Sequence, residues 1–182
     1  MGRFFESLFG GLRGILGEVV EILSLAVILA IIVRIFLCAP YTIPSWSMSP
    51  VLQSGDRILV NKFVYRLRDP ARGDIVVFKF PLDERIAFIK RIIALPEETI
   101  EGTENGIYIN GQMLKEEYLP QGVKYDHFGP VQLGAGEYFM MGDHRQDSQD
   151  SRFWGAVSRE KILGQSILIY WPLNRVSWLS GK

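Results

Sequence analysis

Arg72-Gly73-Asp74-Ile75-Val76-Val77-Phe78-Lys79-Phe80, followed closely by Ile86-Ala87-Phe88-Ile89-Lys90-Arg91-Ile92-Ile93-Ala94, decides the fold class. Both runs are of strand length, rich in β-branched and aromatic residues, and bounded by turn formers such as Asp69-Pro70 and Leu95-Pro96. Similar short runs recur outward at Arg57-Ile58-Leu59-Val60, Ile107-Tyr108-Ile109, Tyr138-Phe139-Met140-Met141 and Ser166 to Trp171. Asn110-Gly111 between Ile109 and Gln112-Met113 is a strong hairpin signal, because a two-residue turn needs positive φ at both positions. From Tyr41 onward the sequence predicts an all-β, mostly antiparallel domain.

Ahead of it the pattern is different. Val19 to Cys38 is an almost unbroken apolar run with Glu21 and Arg34 toward its ends. As a helix it would extend roughly 30 Å, the thickness of a hydrocarbon core. Two other readings exist. A buried core helix is one, since the uncharged stretch from Ile22 to Val33 is shorter than a full span; a cleavable leader is the other. The β-rich remainder offers no second helix to bury it against, and Pro40 directly after Cys38-Ala39 does not suit leader cleavage. A transmembrane helix is therefore expected over residues 19–38, after an interfacial segment over 1–18 in which Phe4, Phe5, Leu8 and Phe9 suit a membrane surface. Arg3 and Arg13 before the span against Arg34 after it favour a cytoplasmic N-terminus and a domain, 39–182, on the other side.

The 182 residues carry 20 basic and 20 acidic side chains, which leaves no positive excess for nucleic acid. One cysteine, Cys38, forbids an internal disulfide, and two histidines, His127 and His144, are too few for a zinc site without carboxylates. No metal and no cofactor are expected.

Three segments are candidates for chemistry. In Tyr41-Thr42-Ile43-Pro44-Ser45-Trp46-Ser47-Met48-Ser49-Pro50, prolines bracket alternating serines. The segment reads either as a plain linker with turn serines or as an extended, rigid stretch holding Ser45, Ser47 and Ser49 to one side. In the strand Ile86 to Ala94, Lys90 shares a face with Ile86, Phe88 and Ile92. It either snorkels to the sheet rim or is desolvated into a base working near neutral pH. Gly142 to Gly155 is a dense polar loop whose acidic residues lack the spacing of a calcium loop. A Ser-His-Asp triad using His144 or His127 is the weaker alternative to Ser47 with Lys90.

With these segments in order behind an apolar anchor, the chain is similar to the bacterial type I signal peptidases, or leader peptidases. Ile43 to Leu52 resembles the family's nucleophile segment, Arg72 to Phe78 its next strand, Phe88 to Pro96 its general-base segment, and Gly142 to Gly155 its last signature. The resemblance implies a membrane-bound serine endopeptidase with Ser47 as nucleophile and Lys90 as general base. Ser45 and the Ser47 backbone N–H would bind the oxyanion, and Ser148 would orient the Lys90 amine. It also implies shallow apolar subsites built from Tyr41, Ile43, Pro44, Met48, Leu52, Ile58, Val77, Phe88 and Ile89 for an Ala-x-Ala-like site. A small accessory β-region within about 97–135 is expected. The implied partners are signal peptides of secreted precursors and the lipid bilayer, and the implied location is the bacterial inner membrane, crossed once. The chain departs from the family pattern at Trp46, where glycine is frequent, and at His144 and Gln146, where asparagine and aspartate are usual. A specialised processing peptidase of the same fold, or a non-catalytic β-module that binds extended peptides at a sheet edge, are the competing readings.

Overall fold

The computed structural model describes residues 17–31 and 37–179. The chain divides into two units, Met1–Cys38 and Ala39–Lys182. In the first, residues 17–31 are helical with every residue exposed, including Ile22, Leu25 and Ile28. Among the described residues no helix is long and apolar enough to cross a membrane. Residues 32–36 of the expected span, and residues 1–16 with the expected interfacial turn, lie outside the described residues.

The second unit is built on twelve strands: β1 (Cys38–Thr42), β2 (Arg57–Asn61), β3 (Ile75–Phe80), β4 (Asp83–Ala94), β5 (Thr99–Thr103), β6 (Gly106–Ile109), β7 (Gln112–Met113), β8 (Phe128–Gln132), β9 (Glu137–Met141), β10 (Val157–Ser158), β11 (Ile162–Trp171) and β12 (Ser177–Trp178). An eight-stranded sheet runs β1-β2-β11-β3-β4-β9-β10, with β12 added on β11, and a four-stranded sheet runs β7-β6-β5-β8. The pairings from β2 onward are antiparallel. The fold is thus mostly β and antiparallel, as the sequence predicts.

The two runs that decide the class lie side by side, with Val76 opposite Lys90, Val77 opposite Ile89 and Phe78 opposite Phe88. Strand alternation divides their apolar side chains between two cores. Ile75 and Val77 pack with Ile43, Met48, Leu52 and Ile58; Val76, Phe78 and Ile92 pack with Tyr65, Tyr138 and Met140. Asn110 and Gly111 take φ of 50° and 77° and join β6 to β7, so the hairpin signal is met by a turn of the expected hand.

Other elements escape a pattern search. The first expected strand begins later than β1, because Cys38–Thr42 is read as the end of the apolar run and the start of the serine segment. β5 contains Gly102, where an added Cβ would fall 2.3 Å from the Phe128 ring. The glycine is what lets β8 close over β5. β8 itself contains Gly129-Pro130, which reads as a turn but is accommodated in the outermost strand of the small sheet.

Arg91 is a charged group in the interior, only 1% exposed, beside Asp143, 2% exposed. Arg91 Nε and Nη2 donate to the two carboxylate oxygens at 2.8 and 2.7 Å, and Nη1 donates to the Gly73 carbonyl at 2.9 Å. The guanidinium lies 3.8 Å from the centre of the Tyr118 ring. Removing one member of such a pair leaves a buried charge without compensation. Asp143→Ala should therefore lower unfolding free energy by about 3–5 kcal/mol. A urea titration in which the variant loses less than about 1 kcal/mol would show that water or another group takes over the guanidinium.

Candidate active site

Ser47 is placed by a turn, not by a strand. Ile43 N–H donates to the Asp56 carbonyl and Gly55 N–H to the Ile43 carbonyl, both at 2.9 Å, so the segment enters tied to the sheet. Ser49 N–H then donates to Trp46 O, and Leu52 N–H to Met48 O, each at 2.9 Å. Met48, fully buried, anchors the turn, while Ser45 and Trp46 stand exposed above it. The extended alternation of three serines therefore does not hold. Ser45 Oγ and Ser47 Oγ meet at 3.3 Å, whereas Ser49 lines a different cavity with Pro50 and His144. Among the described residues, the Ser47 backbone N–H has no acceptor.

Lys90 comes from β4 and does not snorkel; the residue is 4% exposed. Its Nζ donates to Ser47 Oγ at 2.6 Å, and no histidine side chain bonds Ser47 among the described residues. Burial pushes the Lys90 amine down from 10.5 to about 8; Asp150 and then Asp143 push it up, and Arg152 pushes it down. Once the amine loses a proton its lone pair faces the hydroxyl and can accept from it. A serine hydroxyl within reach of a neutral amine is an activated nucleophile.

The polar loop after β9 packs against this pair. His144 N–H donates to the Ser47 carbonyl at 3.1 Å. Gly142 has no room for a side chain, since a Cβ would meet Ser148 Oγ at 2.2 Å and Ser47 O at 2.3 Å. Asp150, fully buried, accepts from Gly142 N–H at 3.0 Å and from Arg152 Nε at 2.8 Å, and caps the short helix Ser151–Trp154. Asp143 and Asp150 are each held by an arginine, and Asp147 is exposed, so the loop's carboxylates do not converge on one point. Ser148 departs from its expected role. Its Oγ donates to Gln149 O at 3.5 Å, and among the described residues it makes no hydrogen bond to Lys90.

An open cleft of about 590 Å³ lies over Ser47 and Lys90, lined by Pro44–Ser47, Ile86–Ile89, Asp147 and Gln149. Of the residues expected to contact substrate, Pro44, Phe88 and Ile89 line it. Ile43, Met48, Leu52, Ile58 and Val77 do not; they form the packed core beneath, with Tyr41 and Ile89 against it. Phe88 belongs instead to an aromatic group with Phe80 and Trp154. Their apolar character is what the sequence shows, and buried floor and exposed wall look alike in that respect. Ile86, Ala87, Asp147 and Gln149 are the lining residues missed; the alternation along β4 is the signal that reaches the first of them.

One edge of β4 is also open. Ala87–Lys90 pair with β3, but β9 covers the other side only from Arg91 onward. A serine hydroxyl under a desolvated amine, at the end of an unpaired strand edge, is the equipment of a hydrolase acting on extended peptides.

The chain matches the family described as "Signal peptidase, peptidase S26" over residues 16–171. It is 45% identical over 161 residues to a probable signal peptidase I of Synechocystis sp., covering 85% of this chain and 73% of that one. Identity to signal peptidase I P of Bacillus subtilis subsp. natto is 38% over 167 residues, covering 86% and 90% of the two chains. A crystal structure of a signal peptidase I from Enterococcus faecalis aligns at 31% identity with a TM-score of 0.48, covering 54% of this chain and 97% of that one. The chain belongs to the signal peptidase family, peptidase S26, and is a peptidase.

With Lys90 as the base that the resemblance implies, its lowered value sets a pH dependence. Cleavage should climb about tenfold per pH unit up to the folded-state value near 8 and level off above it. The stability linkage follows the same shift. Between about 8 and 10.5 the unfolded chain holds the proton and the folded chain does not, so stability rises with pH there and the cost is fully present below about 8. Lys90→Met should then keep or raise the melting midpoint at neutral pH. A large drop would show that Lys90 makes a structural ion pair.

Proposed function

We propose that this protein removes N-terminal signal peptides from secreted precursors at the membrane, with Ser47 as nucleophile and Lys90 as general base. The observation that carries the reading is the 2.6 Å contact of Ser47 Oγ with a lysine that is almost completely buried. A peptide-binding module has no use for a desolvated amine.

Neutral Lys90 takes the Ser47 proton as Oγ attacks the scissile carbonyl. The developing oxyanion accepts from the Ser47 backbone N–H and the Ser45 hydroxyl, a pair of donors of the kind whose removal costs roughly 10²–10³ in rate each. The Lys90 ammonium then returns its proton to the leaving amine, giving an acyl-enzyme on the last residue of the signal peptide. Lys90, neutral again, deprotonates the water that hydrolyses it. Ser148 is assigned the orienting of the Lys90 amine.

The substrate lies extended between Pro44–Ser47 and the open β4 edge, so alternate side chains face the enzyme. Below them are side chains already packed, which favours small residues. The apolar segment over residues 19–38 anchors the domain in the bacterial inner membrane, with residues 39–182 on the extracytoplasmic side.

Ser47→Ala and Lys90→Ala should each abolish cleavage of a purified precursor with the circular dichroism spectrum unchanged, while His127→Ala keeps activity. Residual turnover above about one hundredth in either of the first two would exclude the proposed pair. The residue before the cut supplies a second check. Leu there must displace the Met48 and Leu52 side chains, at roughly 1–3 kcal/mol, so it should be cut about 10- to 100-fold more slowly than Ala. Equal rates would remove the pocket argument. Trp46, 55% exposed at the cleft, narrows it, and Trp46→Gly is the variant in which tolerance of larger residues should first appear.

A further inference from the structure

The cleft over Ser47 and Lys90 carries a charge that the proposed chemistry does not use. Two of its lining residues are charged, Lys90 and Asp147. Lys90 is 4% exposed and its Nζ is taken by Ser47 Oγ, so it presents no free charge to an occupant. Asp147 is exposed. In the loop after β9, Ser148 and Asp150 are buried, whereas Asp147 and Gln149 are exposed and line the cleft, so the loop sends alternate side chains inward and into the opening.

The three carboxylates of this loop are held differently. Asp143 is paired with Arg91 and Asp150 with Arg152, and the loop's other arginine, Arg145, is bound to Glu116. Among the described residues the Asp147 carboxylate has no cationic partner, although its backbone N–H is fixed by the His144 carbonyl at 3.1 Å. The one carboxylate left unpaired in the loop is the one that faces the cleft.

A single exposed carboxylate is ordinary surface. What sets Asp147 apart is Trp46, an indole 55% exposed in the lining of the same cleft. The face of an indole attracts a cation, and the methylene stem of a lysine or arginine lies along apolar surface while its head reaches a polar group. Ile86, 46% exposed, adds apolar wall. An apolar side chain would be served by the indole alone, and an acidic one would be repelled by Asp147. An indole and an unpaired carboxylate in one cleft, with no free cation competing for either, suit a basic side chain.

We infer that the cleft selects substrates that carry a lysine or arginine close to the scissile bond, the head of that side chain meeting Asp147 and its stem lying on Trp46. The inference rests on the peptidase reading above and adds a specificity-determining pair to it. A segment in the cleft meets both residues whichever way it runs, since both line it.

The test uses the full chain in neutral detergent and quenched fluorescent peptides with Ala kept at the first and third residues before the cut. Lys or Glu is placed in turn at each other position on both sides of the cut. At about pH 9 Lys90 is mostly neutral and a substrate lysine is still charged. In at least one position the Lys peptide should show kcat/KM about fivefold above the Glu peptide at low salt, with the ratio falling toward one in about 1 M salt. At that position Asp147→Asn should bring the ratio toward one and Asp147→Lys should invert it. Trp46→Leu should lower the ratio about twofold, and Trp46→Tyr should keep most of it, with melting midpoints checked for all four variants. A ratio of one or less at every position, or a preference that Asp147→Asn keeps, overturns the subsite. A ratio lowered by Asp147→Asn but untouched by Trp46→Leu overturns the part given to the indole. Ser47→Ala separates the two readings: if it still cuts, the peptidase mechanism fails, whereas loss of cutting together with ratios near one in the unmodified protein fails the basic subsite alone.

Discussion

The ion pair between Arg91 and Asp143 is the constraint on which the site depends. Arg91 follows Lys90 directly in β4, and Asp143 follows Gly142 directly after β9, so one bidentate contact fixes the two segments that must meet at Ser47. Two further donations, from Arg91 to the Gly73 carbonyl and from Asp150's partner Gly142 into that carboxylate, extend the hold to the start of β3 and to the end of the loop. A buried pair of this kind adds little net stability, since desolvation cancels most of the attraction. What it supplies is position. Replaced by apolar residues of equal volume, the interior would be filled as well but the register of loop against strand would rest on packing alone.

The same pair governs the electrostatics of Lys90. Burial by itself drives the amine toward neutrality, and bare carboxylates at Asp143 and Asp150 would undo that by attracting a proton. Each carboxylate is instead faced by an arginine, Arg91 on one and Arg152 on the other. Arg152 itself opposes the Lys90 charge. The outcome is an amine near 8, close enough to neutrality to be deprotonated and basic enough to take a proton from a hydroxyl. The loop can thus be densely charged and still leave the Lys90 amine lowered.

Much of this was legible in the sequence and some was not, for physical reasons. Period-two alternation places Lys90 among Phe88 and Ile92, and a lysine in that row stands out as an anomaly in the sequence itself. Arg91 on the opposite face reads as ordinary, because its partner is far away in sequence and no local pattern announces it. The serine segment shows its residues but not its shape: Pro44 and Pro50 suggest an extended stretch, whereas hydrogen bonds from Ser49 and Leu52 back to Trp46 and Met48 make a turn. β5 and β8 are hidden by Gly102 and by Gly129-Pro130, residues that local rules assign to turns and that here allow two strands to approach closely. Subsite residues are the hardest, since apolarity marks Met48 and Phe88 equally and only the fold decides which of them is floor.

An unpaired stretch of edge in the middle of a sheet is a hazard, open to any extended chain, and proteins usually cover or shorten such edges. Here β4 runs twelve residues while β9 pairs only its last part, so the exposed edge over Ala87–Lys90 follows from a mismatch of strand lengths. Trp46 and the polar side chains of Asp147 and Gln149 stand over it and leave a cleft in place of a flat edge. In the proposed reading the cleft admits a single extended segment. The covered end of the edge coincides with Lys90, so in the proposed reading a segment pairing along it ends level with Ser47. The proposed recognition and the proposed chemistry thus share one strand end, where the unpaired edge gives way to the pairing of Arg91 with β9.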